Sequence, residues 1–155
     1  ITIHIPLEGQ ECCYRRPPLD QVVMCDPGLL PLNNWLSILM HEMGHAGFSR
    51  VGRLRTPKSE ELSAEIVQAV LEKLVGLPFC DDLRNYHKWI DDWLRQMDQD
   101  SHFVLDAVEN AVDVVEFLID RALNSHPWSP RRKYINECLG RLLDYVRKEQ
   151  TAIAG

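Results

Sequence analysis

Residues 36–50 read LSILMHEMGHAGFSR, and the HEMGH inside them, His41 to His45, decides how the rest of the chain is read. Leu36, Leu39, Met40 and Met43 recur at helical spacing, which predicts a helix from about Asn33 to Phe48. On a helix, residues four apart share one face, with Cβ atoms about 5–6 Å apart. His41 and His45 are therefore placed to hold one metal ion from successive turns, and imidazole suits zinc. Glu42 directly follows the first histidine, where its carboxylate can reach a water at the ion without being a ligand. That is the arrangement of a general base in zinc-dependent peptide hydrolysis. Gly44 costs about 1 kcal/mol against alanine in mid-helix. A second backbone passing close to it would account for the residue. With 6 histidines in 155 residues, HExxH arises in about 1–2% of shuffled chains of this composition, so the motif is specific but not unique.

A catalytic zinc site adds a third protein ligand and keeps one position open. Residues 59–69, SEELSAEIVQA, supply carboxylates on the next predicted helix. That helix starts at Thr56-Pro57, an N-cap followed by proline at the first helical position, and stops at Gly76 and Pro78. Leu62, Ile66, Ala69, Val70 and Leu74 give it apolar residues at helical spacing. Glu61 and Glu65, four apart, share a face. We assign Glu61 as the third ligand and Glu65 as the carboxylate that hydrogen-bonds a ligating histidine; spacing alone also permits the reverse. Glu60 reads as solvated. Tyr86 and His87 are the nearest oxyanion-donor candidates in sequence, and a core tyrosine with a surface histidine accounts for the same residues.

The chain is about one domain long, and 45% apolar residues suffice for a packed core. No apolar run approaches the length of a membrane span, and ITIHIPLEG at the start has no signal-peptide pattern. The first residue is Ile1, which reads as a piece of a longer chain with an upstream domain missing. A net charge of −6 makes the domain a poor ligand for phosphate backbones. Arg50, Arg53, Arg55 and Lys58 cluster after HEMGH and read as a solvated loop. Five cysteines, an odd number with no CxxC spacing, argue against a disulfide framework and for reduced thiols in the cytoplasm.

ITIHI and LDQVVMC read as strands, the latter as plain sheet or as an edge strand that pairs with extended substrate. Further helices are expected over about Asp82–Met97, with Ile90, Trp93 and Met97 inward, and over Ser101–Asn124. A fifth helix begins at Ser129-Pro130. The four tryptophans read as core. The fold class expected is α+β: a small N-terminal β-sheet, then a mainly helical body carrying the HExxH helix. Residues 1–124 form the metal-binding domain, and 125–155 a helical extension packed on it.

The order YRRPPLDQVVMCDPG, LSILMHEMGHAG, EELSAEIVQAVLEKLVGLP, YHKWIDDWL and VENAVDVVEFLI resembles the C-terminal zincin-like metallopeptidase domain of ArdC-type antirestriction proteins, a domain also found in phage polyvalent proteins. The resemblance covers about residues 12 to 120. It implies a zincin-like fold, a metal held by His41, His45 and Glu61, and a catalytic Glu42. It further implies single-stranded DNA as a partner, through the missing upstream domain only. The chain departs from the family at Ala46-Gly47-Phe48-Ser49, where a Trp-Thr-Gly-His type segment is usual.

Three functions compete. One is a zinc-dependent peptidase acting on a peptide or protein substrate. Another is a non-catalytic zincin module that keeps metal for stability and serves DNA protection or protein binding. The third is a helical interaction domain that holds no metal. Glu42 favours the first, because a purely structural site has no use for a base there.

Overall fold

The computed structural model describes residues 2–5, 11–51, 56–77 and 87–124. Three short strands, β1 (Thr2–His4), β2 (Cys13–Arg15) and β3 (Gln21–Val23), form a sheet in the order β1-β3-β2. β1 runs parallel to β3 and β2 antiparallel to it, so that Val22 stands between Ile3 and Tyr14. The expected strands ITIHI and LDQVVMC are both present, but LDQVVMC supplies the central strand. Its two sides are taken by β1 and β2, so it cannot pair with a substrate. β2 carries no alternation long enough to be read from sequence; its pairing with β3 makes it a strand.

Four helices follow among the described residues: α1 (Leu32–Val51), α2 (Pro57–Val75), α3 (His87–Gln99) and α4 (Phe103–Asn124). The start of α2 is as the sequence implies, with Thr56 Oγ1 accepting from the Ser59 N–H at 3.3 Å and Pro57 in the first turn. Its end is equally local. Gly76 adopts a left-handed φ of 78°, and the Leu77 N–H returns to the Glu72 carbonyl at 2.9 Å.

α1 is apolar on two sides because it is packed on two sides. Phe48 joins Ala64 and Val67 of α2 and Ala111, Val114, Val115 and Ile119 of α4 in one core. Ala46 joins Val22 and Met24 in a second, flanked by Tyr14, Trp35, Ile38, Leu39 and Met43. The helix thus lies between the sheet and the α2–α4 pair. A side group at Gly44 would meet the Ala64 Cα at 3.3 Å, and one at Gly47 the Val114 Cγ1 at 2.4 Å. Close approach of a neighbouring helix therefore does account for Gly44, and Gly47 serves the same end against α4.

Asp20, at a left-handed φ of 49°, ties sheet to helix. It accepts from the Tyr14 hydroxyl and from Arg50 Nη2, both at 2.7 Å. Arg50 also caps the Ala46 carbonyl. Of the basic cluster, Lys58 pairs with Asp92 at 3.4 Å, and Arg53 and Arg55 lie outside the described residues. Trp35 donates to the Cys25 carbonyl and Trp93 to that of Lys58, and Trp89 is half-buried. Met97, expected inward, is 47% exposed, because α3 lies at the margin of the helical body. The expected fifth helix, the 125–155 extension and Trp128 fall outside the described residues. No described helix is long and apolar enough to cross a membrane.

Candidate metal centre

Successive turns of α1 bring His41 and His45 edge to face, with ring centroids 4.9 Å apart. Their Nε2 atoms stand 3.2 Å from each other. α2 crosses α1 at Gly44, and this crossing delivers the Glu61 carboxylate to the pair, 3.7 Å from His41 Nε2 and 3.6 Å from His45 Nε2. Ligand atoms at about 2.0–2.1 Å around a tetrahedral ion stand roughly 3.3 Å apart. The Nε2–Nε2 distance is near that value, each Nε2 has its own Glu61 oxygen slightly further off (Oε2 for His41, Oε1 for His45), and His41, His45 and Glu61 form a group able to hold a metal ion.

The other ring nitrogens strengthen the fit. His41 Nδ1 lies 3.3 Å from Glu65 Oε1, and His45 Nδ1 lies 3.0 Å from Glu60 Oε1. A neutral imidazole that donates Nδ1–H to a carboxylate turns a bare lone pair outward at Nε2. Two such lone pairs 3.2 Å apart repel unless a proton or a cation lies between them. Burial pulls the His41 pKa down, but the Glu65 hydrogen bond and the surrounding carboxylates outweigh it, and the value ends above the ordinary 6.5.

Glu65 therefore stands where a supporting carboxylate is expected, and Glu61 where a ligand is. The second oxygen of Glu65, Oε2, is buried with no partner among the described groups. Glu60 is the correction. It is not solvated: it bonds His45 and accepts from Arg16 Nη2 at 2.6 Å. Burial pushes its pKa up, but His45 and then Arg16 together outweigh it and hold the carboxyl below its ordinary value. One signal could have found it. Each ligating histidine has a second nitrogen to satisfy, so two supporting carboxylates were required, and SEELSAE offers a spare.

Glu42 is 7% exposed on the adjacent turn. Burial raises its pKa above 4.5, partly offset by His41, by His45 and by the nearby Tyr14 backbone. Buried carboxylates raised in this way are better proton acceptors.

These groups face a cleft of about 330 Å³ whose other wall is β2, through Cys12, Cys13, Tyr14 and Arg16. The strand edge beside the site is thus β2, a segment not read as a strand from sequence. Cys12, Cys13 and Cys25 are free thiols, and burial pushes the Cys12 thiol up. Cys80, Cys138 and the two oxyanion candidates, Tyr86 and the His87 side chain, lie outside the described residues.

Fold and site define an α+β domain, mostly helical, with a small sheet and a two-imidazole, one-carboxylate group able to hold a metal. No family model, curated protein or solved structure matches the chain.

Proposed function

We propose that this chain is a zinc-dependent metallopeptidase domain of zincin-like fold, with His41, His45 and Glu61 as ligands and Glu42 as general base. The carrying observation is the imidazole pair: both Nδ1 atoms face carboxylates, and both Nε2 atoms meet 3.2 Å apart beside Glu61. Zinc bound there would supply a Lewis acid for a carbonyl and lower the pKa of water. Glu42, made more basic by its burial, would take the proton from that water and pass it to the leaving amine. The β2 edge along the cleft supports an extended peptide or protein segment as substrate. Free thiols at the cleft fit a reducing compartment such as the cytoplasm. The order of motifs supports kinship with the C-terminal domain of ArdC-type antirestriction proteins, in which single-stranded DNA would be held by an upstream domain.

One observation favours the second reading, a metal-stabilised module that binds DNA or protein without catalysis. Glu42 is 7% exposed, so little of its carboxylate is open to the cleft. Elemental analysis and a protease assay separate the two. About one zinc per chain, lost in His41→Ala, is expected. Glu42→Gln should keep the zinc and lose at least about 100-fold in hydrolysis of unfolded protein substrates. Zinc without any difference between wild type and Glu42→Gln would leave the binding module. No zinc in the wild type sinks both.

A further inference from the structure

We infer that Glu60 and Arg16 are positioning residues for the metal centre, with Glu60 fixing the His45 ring and Arg16 fixing Glu60; this rests on the metal reading above. Glu60 divides its two oxygens. Oε1 lies 3.0 Å from His45 Nδ1, and Oε2 accepts from Arg16 Nη2 at 2.6 Å. The Glu60 side chain is 13% exposed, so it is held between its partners rather than solvated. Arg16 comes from the opposite wall of the cleft, directly after β2, and its side chain is 68% exposed.

A neutral imidazole carries one N–H. With that proton on Nδ1 and given to Glu60, the His45 lone pair sits on Nε2, the atom that meets His41 and Glu61. Glu65 sets His41 in the same way from one turn further along α2. Each ligand histidine thus has its own carboxylate, and Glu60 alone is tied in turn to the β2 wall. A carboxylate behind a ligating imidazole fixes tautomer and ring orientation and raises ligand basicity. Arg16 bonds the oxygen that His45 does not use, which keeps the carboxylate from turning to solvent. An ion pair with so exposed a partner adds little to global stability. Its removal should therefore show in metal affinity more than in melting temperature.

The test is a zinc competition titration against a chromogenic chelator, run on wild type, Glu60→Gln, Arg16→Gln and Arg16→Lys. It is joined by nitrogen-15 imidazole spectra of the zinc-free proteins. Glu60→Gln is expected to weaken zinc about 10- to 100-fold, with melting temperature little changed. Arg16→Gln is expected to weaken it about three- to tenfold, and Arg16→Lys to recover most of that. The zinc-free wild type should show His45 protonated at Nδ1, shifting toward Nε2 in Glu60→Gln. Zinc affinity within about twofold of wild type in Glu60→Gln would overturn the inference. So would weaker zinc with an unchanged His45 tautomer, since Glu60 would then act by charge alone. A wild type that takes up no zinc sinks the metal reading and this inference together, an outcome the wild-type titration identifies by itself.

Discussion

His41 shows how one residue's surroundings set a property of the whole chain. Its native pKa lies above 6.5, because Glu65, Glu42 and Glu61 outweigh the desolvation of the ring. The folded state therefore holds this proton more tightly than the unfolded one. The stabilisation is fully present below 6.5 and is lost as pH rises through the native value. Glu42 acts with the same sign, since its raised pKa also makes the fold prefer the protonated form. Glu60 acts oppositely, with stability present above 4.5 and lost as pH falls through its lowered pKa, so near neutrality its contribution is full and constant and adds no slope. Zinc-stripped protein should accordingly unfold at lower urea at pH 8 than at pH 6, and His41→Gln should flatten that slope. With zinc the sense reverses, because the ion competes with the proton for His41 Nε2. Urea midpoints at the two pH values, with and without zinc, check both signs.

At the scale of elements, the crossing of α1 with its neighbours rests on two glycines of unequal tolerance. A Cβ at Gly44 would stand 3.3–3.4 Å from Ala64 and Val67, which small shifts relieve. A Cβ at Gly47 would stand 2.4 Å from Val114 Cγ1, inside a buried cluster. Alanine improves helix propensity by about 1 kcal/mol at either place. Gly44→Ala should thus fall within about 1 kcal/mol of wild type, while Gly47→Ala should lose about 1–3 kcal/mol through overpacking. Denaturant unfolding of the two variants tests the ranking; equal stabilities would contradict the close contact with α4. The ends of α2 were legible because Thr56, Pro57 and Gly76 act on their own neighbours. β2 was not, because three residues at Cys13–Arg15 become a strand only by pairing with Gln21–Val23. Met97 misleads in the same way: its spacing marks a face of α3, but position in the body decides whether that face is covered.

For the whole molecule, the proposed ion joins α1 to α2, two helices already in contact through the Gly44–Ala64 crossing and the Phe48 core. None of the three ligands belongs to either apolar cluster. Chelated protein should therefore remain cooperatively folded, and zinc should add stability by linkage alone. At zinc 100 times its Kd that is about 2.7 kcal/mol, or roughly 5–10 °C in melting temperature for a chain of this size. Melting curves with and without chelator test this; collapse of the chelated protein would make the metal a condition of folding. What the sequence determined by itself is what works over one or two helical turns. This includes His41 and His45 on one face, Glu42 beside them, Glu61 and Glu65 on another helix, and the caps of α2. What only the tertiary structure decided is which partners meet across the chain. β3 lies at the centre of the sheet, β2 forms the cleft wall, and Arg16 reaches Glu60 over 44 positions. Periodicity reports the face of an element, whereas the neighbour of that face is fixed by packing between segments far apart in sequence.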